Sequence, residues 1–490
     1  MIGQASVISS EPSKDGPERE GIGHGGIDGG SRHGGGQRAA TRHPAPIPLA
    51  SIPFVEKICY GFGDAGGTIV TGLIANFLTF YYTDVFGLAP GIVGVLFLSL
   101  RIFDAVSDPL IGIMADRTTT RWGRFRPYLL WTAIPVGLSC FLTFQAPDFS
   151  YDGKVAYAAI TYFLLALSYS LNNVPYCALI TRMTDSEREG VVPVGALRDG
   201  GDRVLLRLGR VADPGAPSGG ADIARGYRDG VAILSAAAVV MFLICFLFVR
   251  ERVVAADTAD VPLKVAIANT LKNDQLRWTF LMTLLLIAIF NTKGGAALYF
   301  ITYVLKGDAT YQALFFGTAT AGGFLGSIVV QAFTRRYDVR SIYIWVNLIL
   351  VAGHFAAFFV PGEYPTLWLV LVGLCCIVLG CTLPLHFTLI QLADQYGEWK
   401  LGMRSSGMSF AFNQFFVKLA WAVAGALISG VLVLVSYKAG AGNQTPLSLT
   451  GIRLLSTIIP GLMHLALALA ISRLILNRDT IARMTAARAL

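Results

Sequence analysis

Two aspartates lie four residues apart inside a long apolar stretch of the sequence. They are Asp104 and Asp108 of RIFDAVSDP, and in a helix this spacing puts both carboxylates on one face, a turn apart. Two carboxylates inside a membrane are costly unless they bind a cation, take up protons or meet a basic partner. With hydroxyl oxygens from Ser107 and Ser170 they would form a hard-ligand site that suits Na⁺ or another small cation.

Two basic residues bear on how these acids are used. Arg101 opens the same motif, so both carboxylates could pair with arginine and simply pin helices together. Lys418 lies well inside the apolar block 408–437, and a lysine at that depth needs an acidic partner. We predict a charge network in which Lys418 pairs with Asp104 or Asp108 and the substrate binds beside it. Because intramembrane carboxylates are functional by default, coupling-ion binding is the favoured interpretation.

A polar segment further along the chain has the groups that sugar hydroxyls need. SYSLNNVPYCAL carries Tyr169, Asn172, Asn173 and Tyr176. Amide groups both donate and accept hydrogen bonds, as sugar hydroxyls do, and aromatic rings can stack on a pyranose face. The alternative is that these side chains join neighbouring helices by hydrogen bonds.

A basic loop follows the block that holds the two aspartates. DRTTTRWGRFRP begins at Asp116 and carries Arg117, Arg121 and Arg124 among its arginines. We predict a cytoplasmic gate that moves during alternating access. The alternative role is a topology anchor, and the two roles are compatible.

The elements that position these residues are apolar blocks long enough to cross a bilayer. Of the 490 residues 54% are hydrophobic and 14% are charged, whereas a soluble domain carries about a quarter charged residues. A helix needs about 20 residues to span the hydrocarbon core, where backbone polar groups must be satisfied internally. Eleven blocks are therefore predicted to be helices: 54–82, 92–115, 127–146, 154–180, 230–249, 276–304, 312–333, 341–360, 365–391, 408–437 and 451–475.

The net charge of +8 is distributed as in a multi-pass membrane protein. Lysine and arginine concentrate in particular loops, which predicts a cell inner-membrane protein with both termini cytoplasmic and argues against nucleic acid as a partner. The seven cysteines lie in or beside apolar blocks and have no metal-ligand spacing. We also find no nucleophile–base set and no phosphate loop, so we expect neither an enzyme nor a cofactor.

The blocks divide the chain into two bundles. Residues 1–50 are rich in glycine, proline and serine without an apolar run, so we expect a disordered extension. We then expect an N-terminal transmembrane bundle, a central cytoplasmic loop, a C-terminal transmembrane bundle and a cytoplasmic tail, at 51–250, 251–275, 276–477 and 478–490.

One crossing is missing from the first bundle. The basic loops near Arg188 and Arg250 can both be cytoplasmic only if the chain crosses once more between them, within 190–225. That segment is polar, and the six charges within 190–210 would oppose insertion by roughly 15 kcal/mol. We therefore predict that the fifth helix is degenerate or missing.

Seven motifs in this order and spacing resemble the glycoside–pentoside–hexuronide:cation symporters, the melibiose-carrier family. They are YGFGDAGG, YYTDVFGL, RIFDAVSDP, DRTTTRWGRFRP, NNVPY, ADQYGEWKLGMRSSG and FFVKLA, and the resemblance covers 54–189 and 225–475. It implies an all-α membrane protein with the major-facilitator fold and two six-helix bundles. It also implies symport of a sugar or glycoside with Na⁺, Li⁺ or H⁺ by alternating access, and we expect a monomer.

The resemblance assigns roles residue by residue. Asp104 and Asp108 match the family's cation-site carboxylates, and Lys418 matches its helix-eleven lysine. Ser107 and Ser170 stand where the melibiose carrier has an asparagine and a threonine. The residues predicted to line the substrate site are Thr68, Tyr169, Asn173, Asn413, Gln414 and Lys418. Two of them, Thr68 and Asn173, replace aspartates of the melibiose carrier, so melibiose itself is not implied.

The segment between TDSERE and ARGYRDG departs from the family. Its mixture of Gly, Arg, Ala, Pro and Val is the sort that out-of-frame reading of GC-rich DNA produces, so we hypothesise a compensated pair of frameshifts or a sequencing error. If the segment is real, the chain is a transport-impaired remnant or a non-transporting sensor. A carrier of another amphiphilic solute on the same fold is a third alternative.

Overall fold

The computed structural model describes residues 53–183, 221–252, 263–334, 336–401, 406–441 and 443–488. Within these ranges the chain is helical, and its only β-type pairing is an isolated bridge between Thr120 and Gly123. The prediction of an all-α protein is therefore confirmed for the part of the chain that the structure describes.

The helices are arranged in two halves along the chain. The first half contains α1 (Phe54–Leu73), π-helical turns at Ile74–Leu78 and Tyr81–Val85, α2 (Pro90–Arg117), α3 (Arg126–Thr143), α4 (Tyr151–Met183) and α5 (Ala221–Phe248). The second half contains α6 (Leu263–Lys272), α7 (Asp274–Tyr299), a π-helical turn at Phe300–Val304, α8 (Ala309–Thr334), α9 (Val339–Phe358), α10 (Pro365–Gly380), α11 (Thr382–Leu401), α12 (Ser406–Leu434), α13 (Pro446–Ser456), α14 (Ile458–Ser472) and α15 (Arg478–Arg488).

Nine helical spans among the described residues are long and apolar enough to cross a membrane. They coincide with nine of the predicted blocks, and the other two blocks, 92–115 and 127–146, fall on α2 and α3. The block 365–391 breaks at Cys381, and the block 451–475 breaks at Thr457, whose φ of −129° and ψ of −82° are not helical. Apolar side chains such as Ile134, Trp345 and Leu434 are exposed, as lipid-facing positions of a multi-pass membrane protein are.

The polar regions of the sequence are only partly described. Of the segment 190–225, the structure describes residues 221–225, which form the first turn of α5, before the apolar block predicted to begin at residue 230. The rest of this segment and the 1–50 extension lie outside the described residues. The predicted loop 251–275 contains α6, and the predicted tail at 478–490 contains α15.

The helix ends have the chemistry expected of helix termini. Asn273 precedes α7, and its side-chain oxygen accepts the N–H groups of Gln275 and Leu276 at 3.1 and 3.2 Å. Asp338 caps α9 in the same way. Helices α2, α3, α10 and α13 have proline in the first turn, where the missing N–H has no helical partner to lose.

The two halves meet along α12 and α7. Within the first half α3 packs against α4 and α5, and α2 packs against α4. Within the second half α7 packs against α11, α12 and α14, while α8 packs against α10. Between the halves α12 runs along α2, and α7 crosses the π-helical turn Ile74–Leu78. The middle of α2 therefore faces the other half of the protein.

Close packing of α8 on α10 depends on glycine. A Cβ at Gly326 would overlap the carbonyl oxygen of Ile377, and one at Gly322 would lie 2.8 Å from the Gly373 carbonyl oxygen. Small residues let two membrane helices approach this closely and gain dispersion energy. A neighbouring glycine on α8, Gly323, has open space where its Cβ would be.

We predict that Gly326→Ala lowers the melting temperature of the detergent-purified protein, because overpacking costs about 1–3 kcal/mol. Gly323→Ala is the matched control on the same helix. It should leave the melting temperature unchanged or raise it, since alanine is the better helix former. Equal melting temperatures for the two variants would contradict the packing.

Candidate functional site

Four of the predicted site residues lie close together where the halves meet. We call Arg101, Asp104, Asp108, Ser170 and Lys418 the charged centre. The first three lie on α2, Ser170 lies on α4 and Lys418 lies on α12. The charged centre therefore joins residues of both halves.

Lys418 contacts the second of the two aspartates. Its ammonium group donates a hydrogen bond to Asp108 Oδ2 and a longer one to Ser170 Oγ, at 3.4 Å. The Asp108 and Lys418 side chains keep 21% and 19% of their surface exposed. Of the two acids considered as partners of Lys418, the structure selects Asp108.

Asp104 is instead paired within its own helix. Arg101 donates to Asp104 Oδ2 at 2.8 Å and to the Tyr162 hydroxyl at 2.9 Å. Its guanidinium carbon lies 4.9 Å from the centre of the Trp421 ring, which belongs to the second half. The sequence left open that the carboxylates pair with arginine instead of binding a cation, and Asp104 does pair with arginine. Asp104 is also fully buried.

Each carboxylate nevertheless leaves one oxygen without a donor. Asp104 Oδ1 and Asp108 Oδ1 are buried and have no hydrogen-bond partner among the described residues. A buried acceptor without a partner costs free energy, and more so when it carries charge. A small cation or a proton on these oxygens would remove that cost, so the donor set fits the predicted coupling ion.

The hydroxyl groups of Ser107 and Ser170 already form hydrogen bonds in this structure. Ser107 Oγ donates to the backbone carbonyl of Asp104 at 3.4 Å, and Ser170 Oγ accepts from Lys418. No cluster of three or more His, Cys, Asp or Glu side chains able to hold a metal occurs among the described residues. A cation at Asp104 and Asp108 would therefore depend on carboxylate oxygens, with serine ligands only after rotation of their side chains.

The predicted substrate residues of the first half lie on α1 and α4. Tyr169 packs its hydroxyl against Gly67, which precedes Thr68 on α1. Asn173, one turn after Tyr169, accepts a hydrogen bond from the thiol of Cys177 at 3.9 Å. Thr68, Tyr169 and Asn173 are each half-buried.

The other two polar residues of that α4 segment serve packing. Tyr176 stacks on Tyr60 with ring centres 4.7 Å apart and donates to the Tyr60 carbonyl at 2.9 Å. Asn172 is buried and donates to the Thr132 hydroxyl at 2.8 Å. The helix-joining alternative thus describes Tyr176 and Asn172.

The predicted residues of the second half are divided between two environments. Asn413 is buried, and its side-chain oxygen accepts from Thr283 Oγ1 at 2.7 Å. Thr283 in turn lies 2.9 Å from His386 Nε2. Gln414 is half-buried. Asn413 is therefore already hydrogen-bonded within the second half, and the structure adds Thr283 and His386 to its surroundings.

Some ionisable residues inside apolar blocks were not among the predicted site residues, and two of them lie near polar side chains of other helices. Asp64 on α1 lies close enough to Tyr169 and Tyr176 to interact electrostatically with their hydroxyls. Lys293 on α7 lies 2.9 Å from His354 Nε2. Each could have been found by the rule that selected Lys418, because charged residues inside membrane helices are rare and functional.

The predicted gate loop is held by an acid that the sequence motifs did not reveal. Glu251, just after α5, accepts the backbone N–H groups of Arg124, Phe125 and Arg126 at 2.9, 2.8 and 2.9 Å. This carboxylate neutralises the positive end of α3. Gly123 has a φ of +113°, and a Cβ there would lie 2.5 Å from Glu251 Cδ. The loop is therefore fastened to α5 of its own half.

The predicted gate arginines themselves lie at the surface. Arg117, Arg121 and Arg124 are at least partly exposed, and Arg121 covers the ring of Trp122 at 4.5 Å. The side chain of Asp116 lies outside the described part of the chain. Among the described residues of this region, Arg252 forms an ion pair with Glu56 at 2.5 Å. Hydrogen bonding to Glu56 raises the pKa of the Arg252 guanidinium.

We predict that Glu251→Ala frees the loop and accelerates tryptic cleavage after Arg121 and Arg124 several-fold. Three N–H groups at the start of α3 lose their acceptor in this variant, so the loop opens more often. Glu363→Ala, which removes an exposed carboxylate from another loop, is the control and should cleave at the rate of the parent. Cleavage fragments followed by mass spectrometry give the rates, and equal rates in all three proteins would contradict the capping role.

Comparison with known proteins shows which family the chain resembles. The family model for MFS/sugar transport proteins matches residues 59–478. The inner membrane symporter YicJ of Escherichia coli (strain K12) is 35% identical over 423 residues, which cover 85% of this chain and 91% of YicJ. The isoprimeverose transporter of Lactiplantibacillus pentosus is 30% identical over 402 residues, or 79% of this chain and 82% of that protein.

A solved structure is similar in fold. The crystal structure of a D-xylose-proton symporter superposes with a TM-score of 0.60 and covers 86% of this chain and 97% of that one. The two sequences are 13% identical, so the likeness concerns the fold alone. Together with the match to the MFS family model over residues 59–478, this likeness in fold confirms the predicted major-facilitator architecture.

Proposed function

The chain belongs to the MFS/sugar transport protein family, and from that membership we propose that it is a secondary active transporter that couples entry of a sugar or glycoside to entry of a cation. The likeness to an inner membrane symporter and to an isoprimeverose transporter supports this class of activity. The observation that carries the proposal is the charged centre, because it joins the two halves through Lys418 and Asp108 and leaves two buried carboxylate oxygens for a cation.

Charge balance suggests how coupling works. Arg101 and Lys418 already neutralise Asp104 and Asp108. A cation that binds Asp108 must compete with the Lys418 ammonium for that carboxylate, because two positive charges close together in a low-dielectric site repel each other. Cation binding thus competes with Lys418, and the released ammonium can donate to a hydroxyl of the sugar. The sugar then binds best after the cation has bound.

The sugar site proposed here lies between Thr68, Tyr169 and Asn173 of the first half and Lys418 and Gln414 of the second. A hydroxyl-rich solute between these groups would hold both halves at once. Rocking of the halves about it would give alternating access. Na⁺, Li⁺ and H⁺ are all retained as candidate coupling ions.

Orientation follows from the charges of the loops. We call the end that carries Arg117, Arg121 and Arg252 the basic end and propose that it faces the cytoplasm of a cell whose inner membrane holds the protein. Both termini would then be cytoplasmic. The division into two transmembrane bundles, a central loop and a tail belongs to the same proposal, as do the monomeric state and the absence of enzymatic activity.

The test is substrate-dependent cation flux in proteoliposomes. A panel of glycosides and sugars is applied under gradients of Na⁺, Li⁺ or H⁺, and we expect one gradient to drive accumulation of at least one of them. Empty liposomes are the control. Flux with none of the sugars, but with an apolar solute that glycosides do not displace, would favour the third alternative of another amphiphilic cargo.

A remnant or sensor is the second candidate because of the segment 190–225. Resequencing of codons 185–230 with translation in all three frames separates the cases. A frame that encodes about 20 apolar residues with a single arginine would restore a fifth membrane helix. Confirmation of the present frame would instead predict weak or absent flux in the proteoliposome assay.

A further inference from the structure

We propose that hydrogen bonds to Asp84 hold the two halves together at the end opposite the basic end. We call this set of contacts the lock. Breaking the lock opens the interior of the protein to the outside. The proposal rests on the proposed function for its membrane orientation and its purpose. It adds an extracytoplasmic gate whose residues were not among the predicted site residues.

Asp84 binds groups from the other half of the chain. It lies in the second π-helical turn after α1, Tyr81–Val85. Its Oδ1 accepts hydrogen bonds from the hydroxyl of Tyr303, from the hydroxyl of Tyr437 at 2.5 Å and from the N–H of Gly440 at 3.2 Å. Hydrogen bonds to a carboxylate are about twice as strong as those between neutral groups. One oxygen of the first half thus gathers three donors from the second.

A second hydrogen bond between the halves lies beside the first set. Thr83 donates to Asp84 Oδ2 at 2.6 Å, and its hydroxyl lies 2.7 Å from that of Tyr299. Thr83 and Tyr299 are fully buried. Water therefore cannot replace these bonds without separation of the halves, which makes the contact specific and strong.

Aromatic rings enclose the polar groups. Tyr437 packs edge-on against Tyr299 and Tyr303, with ring centres 5.5 and 5.7 Å apart, and Phe80 of the first half packs edge-on against Tyr299 at 5.2 Å. Such contacts add stabilisation beyond their buried area. The lock is thus a compact set of aromatic residues around one carboxylate.

The turn that presents two of the donors is preformed. Gly440 has a φ of +68°, which favours glycine, and Ser436 has a φ of +52°. The N–H of Tyr437 donates to the Leu432 carbonyl at 2.9 Å, and Ser448 Oγ donates to the Val435 carbonyl at 2.9 Å. Because the turn is fixed within the second half, little entropy is lost when it meets Asp84.

Below the lock, close packing brings described residues of the two halves together. A Cβ at Gly94 would lie 2.8 Å from Ser429 Cβ, and a Cβ at Gly425 would lie 2.8 Å from the Phe97 ring. Ala424 is buried beside a small cavity that Arg101 and Trp421 also line. This packing leads from the lock to the charged centre.

Polar contacts among the described residues of the basic end form a different pattern. Glu56 with Arg252 and Glu251 with the start of α3 bond within the first half. Lys400 with Asp274, at 3.1 Å, bonds within the second half. The bonds of Asp84 therefore oppose separation of the halves at their own end, while these bonds only strengthen each half.

The test measures access to the interior from outside. Ala424→Cys places a thiol at a buried position beside the small cavity, and a membrane-impermeant maleimide added to right-side-out vesicles reports its exposure. The protein without this change, which keeps the seven native cysteines, gives the background. We expect slow labelling in the single variant and labelling about tenfold faster when Asp84→Ala is added, since one charged hydrogen bond is worth about that factor.

A matched control and a milder variant complete the design. Asp308→Ala removes another aspartate near the same end, where its side chain accepts the N–H of Tyr311 at 2.8 Å within the second half, and should leave labelling unchanged. Tyr303→Phe with Tyr437→Phe removes two donors but keeps both rings, so the fold is preserved and labelling should again accelerate. Unchanged labelling in this folded double variant would overturn the lock.

The labelling assay does not depend on transport. Faster labelling of the Asp84 variant in a protein that moves no glycoside would support the lock and count against the proposed symport. Normal symport together with unchanged labelling would refute the lock and leave the proposed function standing.

Discussion

Asp108→Asn is expected to abolish concentrative uptake while leaving the protein folded and inserted. The amide can still accept the hydrogen bond from Lys418, so the contact between α2 and α12 is largely retained. The substitution removes the negative charge that a cation needs at Asp108 Oδ1. This atom is one of the two buried oxygens without a partner among the described residues. The substrate should then only equilibrate across the membrane, because no ion gradient drives it.

Uptake of the transported glycoside in cells or proteoliposomes, with and without a cation gradient, measures this effect. Asp148→Asn is the matched control, since Asp148 lies in the loop between α3 and α4, away from the charged centre, and it should accumulate substrate like the parent. Normal accumulation by the Asp108 variant would refute the assignment of Asp108 to the cation site.

The second expected result is a strong interaction between changes at Asp108 and Lys418. Lys418→Met leaves the Asp108 carboxylate without its partner, and breaking a buried pair costs about 3–5 kcal/mol. The cost here should be smaller, because about a fifth of each side chain is exposed. Asp108→Asn combined with Lys418→Met removes both charges and should recover most of the lost melting temperature.

This pair of variants separates the two interpretations of the charged centre. If Asp108 and Lys418 only pin helices together, the double variant should be both stable and active. If Asp108 holds the coupling ion, the double variant should be stable but unable to accumulate substrate. Recovered accumulation of substrate in the double variant would therefore refute the cation-site interpretation.

Thermal unfolding in detergent, read beside uptake, gives both quantities. The exposed pair Arg228–Asp229, with 50% and 55% of its side chains accessible, is the control for charge removal. Exposed pairs are worth about 0–1 kcal/mol, so its neutralisation should change neither melting temperature nor uptake. A large loss of melting temperature in this control would show that charge removal in general, rather than the buried pair, destabilises the protein.

The sequence by itself determined the class of protein and most of its helices. Hydropathy and length predict membrane helices because lipid leaves the backbone no other way to satisfy its polar groups. The spacing of Asp104 and Asp108 is enough to put both acids on one helix face, since helical geometry is local. The depth of Lys418 in its block indicated that it needs an acid.

Only the tertiary structure decided which partners meet. Asp108 pairs with Lys418 because the packing of α12 along α2 fixes which turn faces which, and Asp104 is left to pair with Arg101 of its own helix. Asn413 was predicted to line the sugar site, yet it is hydrogen-bonded to Thr283. Choices of this kind depend on the rotation and axial position of neighbouring helices, which hydropathy does not record.

Two other long-range contacts were not predicted from the sequence. Glu251 caps α3 from a position 125 residues away in sequence from Arg126, and Asp84 accepts from Gly440, 356 residues away. Asp84 belongs to the motif YYTDVFGL, but nothing local distinguishes an acid at a helix end that is solvated from one that closes a gate. That distinction arises only when the second half supplies Tyr303 and Tyr437, because a carboxylate becomes a lock through the donors that surround it.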